Sequence, residues 1–205
     1  LLEMAWRDSI PYWQLAIFGF FLLTATSQFA VLVVNWVITL LAQPKLLPRM
    51  DYSKGIPPET RTLIVIPTII SDDESVDHLI EGLEVRYLAN PDENLHFALL
   101  TDFSDAEKES LPGDDDLVAY ACSRISELNK KYFRRRSEIF YLFHRPRKWN
   151  PREGCWMGYV RKRGKLGDLN VLLRGAERTA FSAIVGDYSF LTNVRYVITL
   201  DTDTQ

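Results

Sequence analysis

The run Val194-Arg-Tyr-Val-Ile-Thr-Leu-Asp-Thr-Asp203 joins a short apolar, β-branched segment to two carboxylates that lie one residue apart. Such residues favour strands, so we predict a strand over 194–200 that ends at Asp201. Two carboxylates on the loop after a strand can share a hard divalent cation, Mn²⁺ or Mg²⁺, which takes oxygen ligands and usually also binds substrate phosphates. The pattern is short and also occurs by chance, so its meaning depends on the surrounding fold.

Three further apolar runs precede it and alternate with segments of helical periodicity. The runs are Thr62-Leu-Ile-Val-Ile-Pro67, Leu95-His-Phe-Ala-Leu-Leu-Thr101 and Ile139-Phe-Tyr-Leu-Phe143. Helices are predicted between them, the first starting from the capping-box spacing Ser71-Asp-Asp-Glu74 and the last running over about 166–179. Alternating strands and helices predict an α/β fold with a parallel sheet covered on both faces.

Polar side chains follow these runs where the strands end. They are Asp102, His144, Asp201 and Asp203. Ligands of parallel sheets bind beyond the carboxyl ends of the strands, so we expect these residues at one rim of the sheet. Two plainer interpretations stay open: Asp102 as a helix cap or turn residue, and His144 as a packing or hydrogen-bonding residue of a loop.

Positive charge is concentrated in Arg161-Lys-Arg-Gly-Lys-Leu-Gly-Asp-Leu-Asn170, just before the last predicted helix. Gly164 and Gly167 allow close backbone approach, and Lys165 is placed to meet a diphosphate. Further basic residues upstream extend this character: Arg145, Arg147, Lys148 and Arg152. The alternative is a solvated loop, or a patch that contacts anionic lipid headgroups.

The chain has 205 residues and a formal net charge of −3, yet residues 9–44 carry no charged side chain. Because about 20 apolar residues cross a bilayer, we predict one tilted transmembrane or interfacial helix over 10–42. A stripe of Thr24, Gln28, Asn35 and Thr39 favours a partner helix in lipid, although scattered tolerated polar residues are equally compatible. Basic residues after the span place its C-terminal side in the cytoplasm.

A Pro-rich linker is predicted over 43–60, followed by an α/β domain over 61–205. The two cysteines, Cys122 and Cys155, fit neither a disulfide framework nor a metal-ligand spacing, which indicates a reducing compartment. Neither end of the chain looks like a natural terminus, so we expect an internal segment of a longer protein.

Long motifs carry a resemblance to a known family. The strand ending at Asp102, the segment Gly164-Lys-Leu-Gly-Asp-Leu-Asn170 and the final Asp-Thr-Asp resemble inverting processive glycosyltransferases of the glycosyltransferase-A fold, such as cellulose synthase. Four longer stretches resemble the glycosyltransferase domain of bacterial cyclic β-1,2-glucan synthases, glycosyltransferase family 84. They are Leu47–Pro58, Asn94–Phe103, Phe143–Pro151 and Trp156–Lys165.

The resemblance implies a glucosyltransferase that uses UDP-glucose at the cytoplasmic face of the bacterial inner membrane. Its partners would be a glucan acceptor, the bilayer and other transmembrane helices of the parent chain, with no nucleic acid. It implies that Asp102 hydrogen-bonds the uracil, Lys165 neutralises the diphosphate, and Asp201 and Asp203 hold Mn²⁺ or Mg²⁺. Pro67 and Gly164 would complete the UDP-sugar site, and 61–205 would be a truncated nucleotide-sugar-binding domain of the glycosyltransferase-A fold. The general base is expected beyond Gln205, so we expect this segment to be inactive alone, and its independent folding is in doubt.

Two other functions remain compatible with the residues. Ile198-Thr-Leu-Asp-Thr-Asp-Thr204 also fits a haloacid-dehalogenase-type phosphatase, although that motif normally opens its domain and three strand–helix units precede it here. A non-catalytic membrane-anchored domain that binds a nucleotide or a headgroup is the second. UDP dependence would reject the first, and an acceptor-side carboxylate in the parent chain would reject the second.

Overall fold

The computed structural model describes residues 11–42, 51–132, 138–175 and 180–202. The chain divides into two units, Leu1–Met50 and Asp51–Gln205. In the described part of the first unit, residues 11–42, helix α1 spans Tyr12–Leu41. Its most apolar window has a mean hydropathy of 2.1 and none of it is buried, so α1 is long and apolar enough to cross a membrane.

The four polar residues of the predicted stripe on α1 fall into two groups. The Thr24 hydroxyl donates to the carbonyl of Phe21 at 2.8 Å, and the Thr39 hydroxyl donates to that of Asn35 at 2.8 Å. These hydroxyls are therefore satisfied within their own helix and need no partner. The amides of Gln28 and Asn35 keep their capacity for a second helix, so the predicted partner helix stays a prediction.

The second unit is a mixed α/β domain. Its elements, in chain order, are β1 (Thr62–Ile70), α2 (Asp73–Ala89), β2 (Leu95–Phe103), α3 (Asp114–Lys131), β3 (Phe140–Arg145), β4 (Lys148–Asn150), β5 (Cys155–Met157), α4 (Arg161–Leu173), β6 (Ala183–Val185) and β7 (Tyr196–Thr199). Short 3₁₀ turns cover Pro58–Thr60 and Tyr188–Asn193.

Five strands form one sheet in the order β6-β3-β2-β1-β7. β1 pairs in parallel with β2 and β7, β2 pairs in parallel with β3, and β6 runs antiparallel to β3. The predicted mostly parallel sheet is therefore confirmed, with an antiparallel edge strand that the sequence did not reveal. The segment predicted as a basic loop contains the hairpin β4–β5, in which Trp149 pairs with Trp156.

Two apolar clusters cover the two faces of this sheet. On one face, α2 and α3 bury residues such as Ile80, Leu83 and Ile125 against Phe97 and Phe140. On the other, Leu169 and Leu172 of α4 pack against Leu63, Leu100 and Phe143. Burial on both faces explains why β1, β2 and β3 read as continuous apolar runs rather than alternating ones.

Asn129, near the end of α3, fixes the start of β3. Its side-chain amide donates to the carbonyl of Phe140 at 2.7 Å, and its oxygen accepts from the backbone N–H of Phe140 and Ile139 at 3.0 and 3.1 Å. This side chain is buried, so its polar atoms are paired as the interior requires.

Two predicted helix starts were wrong. The cap of α2 is Asp72, whose carboxylate accepts from the N–H of Ser75 at 2.7 Å, and not Ser71 with Glu74; the Ser71 hydroxyl donates to Asp72 instead. α4 begins at Arg161, five residues before the predicted start, because Gly164 lets its first turn pack closely against the preceding chain. It ends at Leu173, and the last predicted residues, 176–179, lie outside the described part.

Candidate functional site

A cavity of about 370 Å³ lies at the carboxyl ends of β1 and β2, against the first turns of α4. Ligands of parallel sheets bind at this edge. Its lining combines backbone from two strand ends with three cationic side chains: Pro67, Thr68, Ile69, Asp102, Phe103, Asp105, Gly158, Arg161, Lys162, Lys165 and Thr202. Of the predicted site residues, Pro67, Asp102 and Lys165 therefore line one cavity.

Asp102 lies at the floor of the cavity inside a buried ion network. Arg145 donates to both of its carboxylate oxygens, from Nε at 2.8 Å and from Nη2 at 3.0 Å. The Lys165 ammonium lies 2.9 Å from the same carboxylate and donates to the carbonyl of Thr68 at 2.6 Å. The three side chains are 3–5% exposed, so these charges are paired away from water.

Strand register and helix periodicity assemble this network. Asp102 and Arg145 are cross-strand neighbours of β2 and β3. Arg145 also donates to Asp168 at 2.6 Å, and Asp168 is one helical turn after Gly164 on α4. A Cβ on Gly164 would lie 3.2 Å from Nη1 of Arg145 and collide with the carbonyl of Tyr159. Glycine at 164 is therefore required by the close packing of the first turn of α4 on the Tyr159 carbonyl, beside Arg145.

The environment shifts the pKa values of both cations in this network. Burial is the largest effect on Lys165 and lowers the pKa of its ammonium, in spite of the neighbouring Asp102 carboxylate. Burial alone would also lower the pKa of Arg145, but hydrogen bonds and charges from Asp102 and Asp168 outweigh it and raise that pKa. Arg145 therefore stays charged and forms the permanent counter-ion of Asp102.

Asp201 follows β7 and is exposed, and the Lys162 ammonium forms an ion pair with its carboxylate. Thr202, the next residue, lines the cavity. Mg²⁺ and Mn²⁺ take oxygen ligands, and the exposed carboxylate of Asp201, beside the cavity, offers such oxygens. Asp203, the predicted second ligand, lies outside the described residues.

The two predicted glycines lie on α4, and their role toward a diphosphate stays a prediction. Gly164 lies within α4 against Arg145 and does not line the cavity, and a Cβ on Gly167 would have no neighbour within 4 Å. A close approach within the cavity lining occurs at Gly158, where a Cβ would lie 2.8 Å from the Asp102 Cβ and would clash with its carboxylate. The prediction missed Gly158 because it is isolated and flanked by no second glycine.

His144 is not at the rim of the sheet. It is fully buried within β3, where its Nδ1 lies 2.8 Å from the Thr101 hydroxyl and its ring packs edge-on to Phe103 with centroids 4.3 Å apart. Burial lowers the pKa of His144 to about 4. The plainer interpretation, a packing and hydrogen-bonding histidine, is therefore the correct one.

A second cavity suits a phosphate poorly, and a surface cluster of possible metal ligands is already neutralised. A cavity of about 660 Å³ between the starts of α2 and α3 is lined by five carboxylates and Arg147, which Asp114 neutralises. Its negative charge disfavours anions. Asp105, Glu153 and Cys155 lie together on the surface, but the Arg161 guanidinium already bridges the two carboxylates at 2.9 and 2.8 Å.

The fold and the site together define an α/β domain with a basic ligand cavity at the carboxyl edge of a mostly parallel sheet, preceded in the sequence by one apolar helix. No family model matches the chain. It is 44% identical over 179 residues, 87% of its length, to the cyclic β-(1,2)-glucan synthase NdvB of Rhizobium meliloti (strain 1021), of which it spans 6%. The chain is therefore related to this synthase, which confirms that part of the predicted resemblance.

Proposed function

We propose that this chain is the donor-binding part of a membrane-bound glucosyltransferase that moves glucose from UDP-glucose to a growing β-1,2-glucan with inversion. Three findings support the proposal: the relation to a cyclic β-(1,2)-glucan synthase, the cavity at the carboxyl edge of the sheet, and the apolar helix α1. The single observation that carries it is the buried Asp102–Lys165 pair at the floor of a cavity with a cationic wall.

Asp102 retains the capacity to accept one more hydrogen bond. Its carboxylate has about four lone-pair sites, and three are used by Nε and Nη2 of Arg145 and by Lys165. The remaining site suits a ring N–H such as that of uracil. Arg145 holds the carboxylate at two points, so its orientation is fixed before the ligand arrives.

Lys165 supplies positive charge from the same floor. Two of its three ammonium hydrogens have partners in Asp102 and the Thr68 carbonyl, which leaves one donor for a diphosphate oxygen. Because the site is partly desolvated, this charge acts more strongly on the departing UDP than it would in water. Pro67 and Thr68 form the strand-end wall beside it.

Asp201, with Asp203, would hold Mn²⁺ or Mg²⁺. When bound, the metal supplies charge neutralisation for the diphosphate leaving group. α1 would span the bilayer, in the bacterial inner membrane, with the α/β domain on the cytoplasmic side and with further helices of the parent protein as partners.

The proposal is tested by titrating UDP-glucose into the purified full-length protein in detergent, with and without Mn²⁺. We expect metal-dependent binding that is lost when Asp201 and Asp203 are both changed to Ala. The matched control changes Asp115 and Asp116 of α3 to Ala, which removes the same charge at a place away from the 370 Å³ cavity. No binding by a folded wild-type protein, or equal loss in both double variants, would refute the assignment.

A further inference from the structure

We propose that Lys162 exchanges partners during donor binding: it pairs with Asp201 until a divalent cation takes that carboxylate, and it then binds the diphosphate. The inference rests on the proposed function and assigns a role to a residue outside the predicted site. It follows from the competition of two cations for one carboxylate, with an anion bound next to both.

Lys162 is the least committed of the three cations that line the cavity. The Arg161 guanidinium is held by Asp105 and Glu153, and Lys165 is buried against Asp102 and Thr68. The Lys162 side chain is 48% exposed, and its partner Asp201 is 61% exposed. Exposed lysine–carboxylate pairs are weak, so this pair can break without cost to the fold.

The position of Lys162 favours an anion once Asp201 is withdrawn. It lies in the first turn of α4, which contains Arg161, Lys162 and Arg163 and no acidic residue, and α4 has no side-chain cap. A cation near a helix N-terminus is opposed by the helix dipole and by its basic neighbours. A diphosphate in the cavity would offset the unfavourable interactions of Lys162 with the helix dipole and with its basic neighbours. The flexible four-carbon stem of lysine lets the ammonium move from Asp201 to the diphosphate without a change of the backbone.

This arrangement gives Lys162 two effects of opposite sign. Its ammonium competes with the metal for Asp201, so its removal strengthens metal binding when no nucleotide is present. The same ammonium binds the diphosphate when the metal is in place, so its removal weakens nucleotide binding. A lysine with only a structural role does not produce this pair of effects, and an effect of long-range charge would be shared by the other cations of the same helical turn.

The test uses the full-length protein in detergent and the variant Lys162→Met. Free Mn²⁺ is followed by electron paramagnetic resonance without nucleotide, and the site is defined as the Mn²⁺ binding that Asp201→Asn abolishes. UDP binding is then measured at saturating Mn²⁺ by calorimetry. For K162M we expect Mn²⁺ affinity about threefold to tenfold higher and UDP affinity about threefold to tenfold lower, the range of one exposed charge contact.

Arg163→Met is the matched control. Arg163 lies on the same turn, and its substitution by Met removes the same charge. Arg163 does not line the cavity and forms no ion pair within the described residues. The Mn²⁺ and UDP affinities of R163M should stay within about twofold of wild type. Lys162→Arg keeps the positive charge, so both of its affinities should lie close to those of wild type.

The outcomes separate the two proposals. If wild-type protein binds UDP with Mn²⁺ but K162M behaves like R163M, or shifts both affinities in the same direction, the exchange is wrong and the proposed function stands. If wild-type protein binds neither UDP-glucose nor UDP in the presence of Mn²⁺, the proposed function is wrong and the exchange falls with it. Circular dichroism of each variant identifies any loss of folding, and if K162M fails to fold, Lys162→Gln, which also removes the charge, serves as the deciding variant.

Discussion

Changing Arg145 to Met should destabilise the carboxyl edge of the sheet more than any substitution of an exposed basic residue. Arg145 makes three charge-assisted hydrogen bonds of 2.6–3.0 Å to Asp102 and Asp168, and it is 5% exposed. Methionine fills a similar length but pairs with neither carboxylate. Asp102, itself 3% exposed, would lose two of its three donors.

The size of the effect follows from the burial of the pair. Removing one partner of a buried ion pair costs about 3–5 kcal/mol, because the other charge stays desolvated without compensation. Lys165 remains beside Asp102, so the lower end, about 3 kcal/mol, is expected. One factor of ten in an equilibrium constant is about 1.4 kcal/mol, so local opening should increase about 100-fold.

Hydrogen exchange followed by mass spectrometry measures this opening in the full-length protein. Peptides that cover β2 and β3 should exchange about 100-fold faster in R145M, whereas peptides of α2 should change little. Arg152→Met is the control, since Arg152 is exposed and its variant should stay within about 0.5 kcal/mol of wild type. Equal exchange of β2 and β3 in R145M, R152M and wild type would refute a desolvated network at the cavity floor.

Three further changes test other parts of the domain. Gly158→Ala places a Cβ within 2.8 Å of the Asp102 Cβ, so it should cost about 1–3 kcal/mol in local exchange and weaken UDP binding, whereas Gly167→Ala, which meets open space, should do neither. Asn129→Ala removes three hydrogen bonds at the start of β3 and should speed exchange there by about 30-fold or more; unchanged exchange would show that the bonds contribute nothing. Burial holds the pKa of His144 near 4, below the ordinary 6.5, so the stability that the neutral imidazole contributes is complete above pH 6.5 and is lost as pH falls toward 4. After correction for intrinsic exchange rates, His144→Gln should therefore show a smaller acid-induced loss of protection than wild type.

The strands of the central region and their parallel arrangement were predictable from apolar runs that alternate with helical segments, whereas the strand order was not predicted. β1, β2 and β3 are buried on both faces, so their sequences are continuous apolar runs. Short runs of this kind are typical of the strands of parallel sheets that are covered on both faces. β6 could not be found in this way, because Ala183–Val185 has only three residues and is half-buried. The hairpin β4–β5 was hidden for a related reason: its residues are basic and aromatic, and their strand pairing depends on contacts distant in the sequence.

The candidate site was predictable in position but not in its internal pairing. Asp102 and Lys165 were identified from a strand end and a basic segment, and the structure brings them together. Arg145 was interpreted as part of a basic loop because β3 seemed to end at Phe143. A two-residue extension of that strand pairs Arg145 with Asp102 in register, and no local property of either residue shows this.

The pairing at the cavity floor is more readily explained by ligand binding than by stability. Replacing a buried ion pair with apolar residues of similar volume is often neutral or stabilising, because desolvation offsets most of the attraction. Leu, Ile, Val and Phe fill most of both faces of the sheet, and the other fully buried polar residues of β2 and β3, His96, Thr101 and His144, are not ion-paired. Asp102, Arg145 and Lys165 depart from this pattern at the strand ends that open into the cavity. A carboxylate held at two points, with one acceptor position left, is a costly way to fill space and an effective way to orient an N–H donor of a ligand.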